Sequence, residues 1–292
     1  MPSLKEIKGR IASVKSTKKI TSAMKMVSSA KLRKAQYQIE QFLPYERRLS
    51  NILNNFLSGY SDEDFSSVLS EVREVQKVAL IALSSNSSLC GAFNSNAIRI
   101  LNESVKKYKS QKCEITIYAI GKKMEAAARK LDIPVEIKGG YNALMDKPAF
   151  EGAREIADIL INDFIENKID KVDLIYNHFK STGVQVPTEE QFLPVDLSNK
   201  KEAKAISTDY IIEPDRKTLL ETLIPRSLRS KIYAILLDSS AAEHAARVVA
   251  MQIATDNADE ILDGLNIQFN KQRQQAITSE LLDIIGGSEA LK

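Results

Sequence analysis

Few side chains in this sequence combine a reactive type with a useful spacing. It holds two histidines, His178 and His244, and two cysteines, Cys90 and Cys113. A nucleophilic centre needs a nucleophile beside a base, and a metal centre needs several ligands turned to one point. His178 falls at the end of a predicted strand and His244 inside a long helical pattern, and neither has a second ligand at metal spacing. Both read as structural. Cys90, in Ser-Leu-Cys-Gly-Ala-Phe-Asn after a predicted strand, stands where an α/β enzyme would put a nucleophile, but no base is near it in sequence. It reads as a buried or half-buried thiol. The two cysteines lie on different predicted elements and fit free thiols of a reducing compartment. Gly121-Lys122-Lys123 follows a strand as a phosphate loop would, yet it lacks the upstream glycine and the hydroxyl residue, and no G-x-G-x-x-G occurs. The residues predict no catalytic, cofactor-binding or metal site; the chain reads as a part that transmits rather than one that reacts.

The elements around these residues follow two rhythms. From about 215 to 285 the chain reads as one very long helix, with neither Gly nor Pro between Arg226 and Asp263. Leu220, Ile224, Leu228, Ile232 and Leu236, then Val249, Ile253, Ile261, Leu265 and Phe269, recur at helical spacing as a narrow stripe, and alanines crowd the stretch from Ala241 to Ala258. At ~1.5 Å per residue such a helix reaches on the order of 100 Å, too long for one compact core to cover. It asks for a partner helix, within a bundle hairpin or along a rod. The other end of the chain supplies one. Ser3 with Glu6 resembles a capping box, and Leu4, Ile7, Ile11 and Val14, then Ile20, Met24 and Val27, then Ile39 to Leu57, keep up helical spacing. Pro44 predicts a kink or break. The economical arrangement is a long antiparallel coiled coil of the N- and C-terminal helices.

Between them, residues 77–84, 114–120 and 171–179 are short apolar or β-branched runs, separated by helical stretches at about 94–109, 122–131 and 147–167. Strands alternating with helices imply a parallel sheet covered on both faces, and 185–193 reads as an added edge strand. Residues 196–209 read as polar and loosely ordered. The expected fold is α/β: a coiled coil of segments 1–58 and 215–286, with a small Rossmann-like domain, 75–214, inserted between them.

Composition narrows the function classes. With 292 residues, a net charge of +3, 43% hydrophobic and 27% charged residues, the chain is ordinary for a soluble protein. Its longest apolar run, Val78 to Leu83, is too short to span a bilayer, and the N-terminus lacks the apolar block of a secretory signal. The first 34 residues are basic and Ser-rich like a transit peptide, but they continue unbroken into the longer helical pattern. Lys5, Lys8, Arg10, Lys15, Lys18, Lys19, Lys25, Lys31, Arg33 and Lys34 against Glu6 leave this segment at +9, so something acidic should face it. A basic coiled-coil protein that binds nucleic acid is the alternative, although the segment has no aromatic residue before Tyr37.

The start MPSLKEIKGRIASVKSTKKITSAMKMVSSAKLRKAQ, the end SSAAEHAARVVAMQIATDNADEILDGLNIQFNKQRQQAITSELLDII, and SLCGAFNSN at 88–96 closely resemble the F-type ATP synthase gamma subunit family, in its bacterial form without a transit peptide. The resemblance implies a non-catalytic rotor shaft coupling c-ring rotation to ATP synthesis or hydrolysis. Its partners would be an α3β3 ring, an epsilon subunit and the c-ring, with no nucleic acid and no direct membrane insertion. It implies a peripheral place on the cytoplasmic side of the cell inner membrane. By position, Met24 resembles the family's coupling methionine, with Lys25, Lys31, Arg33 and Lys34 as basic contacts to β. Arg273, Gln274, Thr278 and Glu280 resemble its polar catch, and Leu281, Leu282, Ile284 and Ile285 an apolar bearing tip. Asn86-Ser87-Ser88 departs from the family's frequent Asp-Arg-Gly, which leaves the polar contacts of that loop open. The cysteine-bearing regulatory insertion of chloroplast relatives is missing, so no thiol control through such a loop is expected.

Overall fold

The computed structural model describes residues 3–58, 68–131, 136–195 and 215–290, with side chains except at 54–58, 216–217 and 286–290. The polar stretch 196–209 lies outside the described residues. In chain order the elements are α1 (Leu4–Ser58), β1 (Lys77–Leu83), α2 (Phe93–Ser110), β2 (Glu114–Ile120), α3 (Lys122–Ala128), β3 (Glu136–Lys138), α4 (Ala143–Asp146), α5 (Phe150–Ile165), β4 (Lys171–Ser181), β5 (Val184–Leu193) and α6 (Arg216–Ala290). The terminal helices are 55 and 75 residues long.

Local chemistry explains their ends. Ser3 Oγ accepts the Glu6 N–H at 3.3 Å, and Asp215 Oδ1 accepts the Thr218 N–H at 2.9 Å, so each helix opens on a side-chain cap. The break expected at Pro44 is not there: α1 runs through it, as α6 runs through Pro225. Pro44 and Glu40, whose carbonyl loses its helical partner, both lie on the exposed face, where water can satisfy the freed oxygen.

By compactness the chain divides into Met1–Ser28 with Val248–Lys292, and Ser29–Arg247. The larger unit carries a five-stranded sheet in the order β3-β2-β1-β4-β5, parallel except for β5, which pairs antiparallel with β4 at one edge. The edge strand expected at 185–193 is this β5. β3 was not expected, since three residues are too few to show a period. Alternate side chains of β1 face opposite ways. Leu80 and Ala82 pack with Ala97, Leu101 and Val105 of α2, while Ile81 and Leu83 pack with Ile156, Leu160 and Phe164 of α5. The second face also takes Leu220, Ile224, Leu228, Ile232 and Leu236 of α6, all at most 5% exposed. The stripe expected in this half of α6 is real, but much of what it buries is a sheet rather than another helix.

In the same unit, residues 29–53 of α1 lie antiparallel to α6. Leu32 and Ala35 pack on Ala241 and Ala245, the Phe42 ring meets Tyr233 edge-on at 4.9 Å, and Tyr45 Oη accepts the Arg226 Nε–H at 2.7 Å.

The smaller unit is a helix pair. In α1 the covered positions include Leu4, Ile7, Ile11, Val14, Lys18, Thr21, Lys25 and Ser28, alternating by three and four, with Ser22 and Met24 half-buried beside them. In α6 they include Met251, Thr255, Ala258, Leu262, Leu265, Phe269, Gln272 and Ala276. Thr21 Oγ1 and Thr255 Oγ1 share a 2.9 Å hydrogen bond, and Lys18 pairs with Asp259, which fixes an antiparallel register. The stripe read from sequence is therefore corrected here. Ile20, Val27, Ile253 and Ile261 are 51–58% exposed, because the strict three-four alternation continues through polar Lys18, Thr21 and Ser28 instead.

Candidate functional site

In an open α/β sheet, ligands bind at the carboxyl ends of the strands where the strand order reverses, here between β1 and β4. In this chain α6 fills that crevice. Ala242 and Ala246 pack there against Cys90, Phe93 and Phe179. Next to Ala246, Arg247 Nη1 donates to Glu243 Oε1 at 2.7 Å and Nη2 to Ser87 Oγ at 2.9 Å. The Arg247 and Glu243 side chains are 9% and 8% exposed, a buried pair made tolerable by that further hydrogen bond.

The backbone amides that would cradle a phosphate are likewise taken. At the start of α3, Lys122 N–H donates to Asn86 Oδ1 at 3.0 Å and Met124 N–H to Ser84 Oγ at 2.7 Å. Gly121 sits at φ 103°, where a Cβ would stand 2.1 Å from the Ser84 carbonyl oxygen, so this glycine serves a close backbone approach. Asn86 Nδ2 donates to the Asn142 carbonyl at 2.7 Å and to Asp146 Oδ2 at 2.8 Å. The Asn86-Ser87-Ser88 loop thus has its own polar anchors: Asn86 ties it to the start of α3 and to both ends of α4, and Ser87 ties it to α6.

The candidate reactive groups are quiet. Cys90 is 1% exposed and accepts the Asn94 Nδ2–H at 3.2 Å. Burial, with Asp170 adding to it, pushes the Cys113 thiol up, away from the thiolate. Burial first, then Arg247 and Lys31, push the His244 imidazole down to about 4, so it is neutral near pH 7. His178 Nδ1 and Asp238 Oδ2 are 2.7 Å apart, and burial raises the Asp238 carboxyl against the opposing pull of that histidine. Among the described residues no three His, Cys, Asp or Glu side chains converge as metal ligands, and no helix is long and apolar enough to cross a membrane.

The structure distributes the positions singled out in sequence. Met24 and Lys25 are half-buried on α1 in the smaller unit; Lys31, Arg33 and Lys34 are exposed on α1 in the larger one. Arg273, Gln274, Thr278 and Glu280 are exposed on α6. With Thr21 opposite Thr255, Met24 lies about 30 Å along the helix pair from Arg273, so these are two stations and not one site. Leu281, Leu282, Ile284 and Ile285 are 54–68% exposed, and Thr278 bonds back to its own helix, donating to the Gln274 carbonyl at 2.9 Å. Sequence reasoning missed the exposed apolar flank of Ile20, Met26 and Val27; extending the three-four count from Leu4 along α1 would have shown that these leave the seam. The basic stretch also finds part of its acidic complement inside the chain, since Lys18 pairs with Asp259 in a run that holds Asp256, Asp259, Glu260 and Asp263.

These features define a class: an α/β protein whose terminal helices pair antiparallel and whose doubly wound sheet has its ligand crevice closed by the C-terminal helix. The family model described as ATP synthase matches residues 3–291. The ATP synthase gamma chain of Azobacteroides pseudotrichonymphae is 56% identical over all of both chains, and that of Phocaeicola vulgatus 52% identical over 99% of this chain and 100% of its own. The chain belongs to the ATP synthase gamma-chain family and is a subunit of that complex. Among solved structures, it is similar to a chain of the Tetrahymena thermophila mitochondrial ATP synthase central stalk and c-ring, at 25% identity and TM-score 0.58 over 80% of this chain and 99% of that one. A Euglena gracilis mitochondrial ATP synthase chain shares the fold at TM-score 0.66, with 22% identity over 99% of this chain and 94% of that one. Nothing in these relatives supports the nucleic-acid alternative.

Proposed function

We propose that this chain is the non-catalytic central rotor shaft of an F1Fo ATP synthase, turning proton-driven rotation of the c-ring into ATP synthesis, or the reverse, at the β subunits. Segments 1–58 and 215–286 form the shaft, seated in the α3β3 ring, and 75–214 forms a foot that meets epsilon and the c-ring. The subunit lies peripherally on the cytoplasmic side of the cell inner membrane and inserts nothing into it. One observation carries the non-catalytic reading: the crevice where an α/β domain would bind a ligand is filled by Ala242, Ala246 and Arg247 of its own long helix. A single asymmetric shaft inside a three-fold ring touches each β subunit differently and so biases each toward a different nucleotide affinity. Rotation moves those biases from one β to the next.

Within this reading Met24, with Lys25, Lys31, Arg33 and Lys34, meets the β subunits. Arg273, Gln274, Thr278 and Glu280 form a polar catch. Leu281, Leu282, Ile284 and Ile285 turn in an apolar sleeve, where contacts without directional hydrogen bonds oppose rotation least. The Ile20 and Val27 flank beside Met24 extends the β contact, since an exposed apolar strip asks to be covered. The test is native mass measurement of what the tagged chain retains from its own cells. A stoichiometric assembly with larger nucleotide-binding subunits is expected. Recovery of the chain alone, or with nucleic acid in a steeply salt-dependent way, overturns the reading.

A further inference from the structure

The two long helices are held in the larger unit in different ways. From α6, Leu220, Ile224, Leu228, Ile232, Ile235 and Leu236 are buried in the core that also holds β1, β4 and α5. Four polar contacts tie α6 to separate parts of the α/β body. Arg229 Nε donates to Asp158 Oδ1 of α5 at 2.6 Å, and Lys231 Nζ lies 2.7 Å from Glu190 Oε1 of β5. Asp238 Oδ1 accepts the Phe179 N–H of β4 at 3.1 Å, and Arg247 reaches Ser87 after β1 at 2.9 Å. These contacts span the length of the body, and at its far end Ala242 and Ala246 fill the crevice.

The 29–53 part of α1 is attached mainly to α6. Its partners there are chiefly Ala241 and Ala245, Tyr233 and Arg226 of α6; from the α/β body, Phe179 of β4 packs against the Leu32 and Ala35 cluster, and Leu53, with Ile52 partly covered beside it, reaches the sheet core. Among the described residues no α1 side chain hydrogen-bonds to the sheet or to α2–α5. A sideways force on the body therefore meets α6 at many fixed points and meets α1 chiefly through α6.

We propose that torque enters and leaves the α/β body through α6, and that Arg229, Lys231, Asp238 and Arg247 are the positioning residues of that joint, with α1 carried as a passenger. This rests on the rotor reading above. Load should follow the stiffer path, the helix whose contacts have two packed sides and polar ties at several levels.

Two six-residue Gly-Ser insertions in the assembled, membrane-reconstituted enzyme test it: one in α1 between Gln41 and Phe42, the other in α6 between Val248 and Val249. The readout is proton pumping per ATP hydrolysed. The α1 insertion should keep at least half of the pumping ratio, and the α6 insertion should lower it at least threefold while hydrolysis continues. Equal losses, or a larger loss from the α1 insertion, overturn the proposal. Normal pumping in both, which would mean that either helix suffices, overturns it as well, whereas failure of the unmodified chain to assemble into an ATP-driven proton pump would overturn the rotor reading. Hydrogen exchange on the unmodified complex gives a check that needs no variant: amides of 29–49 should exchange at least tenfold faster than those of 224–246. Equal protection of the two segments also counts against the proposal.

Discussion

Arg247 joins the end of the α/β body to its own helix: Nη2 donates to Ser87 Oγ at 2.9 Å while Nη1 donates to Glu243 Oε1 at 2.7 Å, both charged side chains being almost fully covered. Removing one partner leaves the other charge buried. Arg247→Ala should therefore lower unfolding stability by about 3–5 kcal/mol, whereas Ser87→Ala should cost about 1 kcal/mol. The double change Glu243→Leu with Arg247→Met should restore most of the loss. Chemical denaturation of the three variants checks this, and a double variant as weak as Arg247→Ala contradicts it.

His244 supplies a pH dependence with a defined sign. Its folded value, about 4, lies below the ordinary 6.5, so the folded state prefers the neutral ring. The stability this contributes is fully present above pH 6.5 and is lost as pH falls from there toward 4. The shift corresponds to about 3 kcal/mol. Subtracting the denaturation curve of His244→Gln from that of the parent, at pH 7 and pH 4.5, isolates it from the carboxylates titrating nearby. A flat difference would remove the buried-imidazole explanation.

Met24 is half-buried beside Lys25, with Ile20 and Val27 58% exposed on neighbouring turns. A lysine at 24 adds a charge to a segment already at +9, at the edge of its apolar strip. Met24→Lys should reduce pumping per ATP several-fold and leave assembly within about twofold of normal, as read from vesicle acidification and subunit recovery. Unchanged pumping at unchanged hydrolysis would contradict a coupling role.

The covered stripe of α6 ends at Ala276, and residues 277–285 are all exposed. In the register set by Thr21 and Thr255, α6 passes the first residue of α1 at about residue 273. Deleting 277–292 should leave the unfolding stability of the remaining chain within about 0.5 kcal/mol, since the side chains at 277–285 are exposed. It should weaken association with the α3β3 ring. Loss of soluble protein, or undiminished ring binding, would each count against the bearing-tip assignment.

Much of this architecture was legible in the residues. The strands at 77–84, 114–120 and 171–179, the edge strand at 185–193 and both terminal helices announce themselves through periods of two and of three to four. The departures have physical causes. β3 is three residues long and carries no period. Pro44 does not break α1, because it stands on the wet side of the helix. Ile20, Val27, Ile253 and Ile261 were read into the seam because they are apolar at helical spacing, whereas Lys18, Thr21, Lys25 and Ser28 take the covered positions. The polar loop at Asn86 could not be read at all, because its partners Asn142, Asp146, Lys122 and Arg247 are distant in sequence.

The sequence by itself determined that two long amphipathic helices flank an α/β segment with no reactive constellation, because backbone periodicity and residue chemistry are local properties. Only the tertiary structure decided what each face of those helices covers. One 75-residue helix packs on a sheet, closes its crevice and then pairs with α1 in turn. A stripe of Leu, Ile and Ala reports that something must be buried, but the partner is selected by which surfaces the whole chain brings within reach.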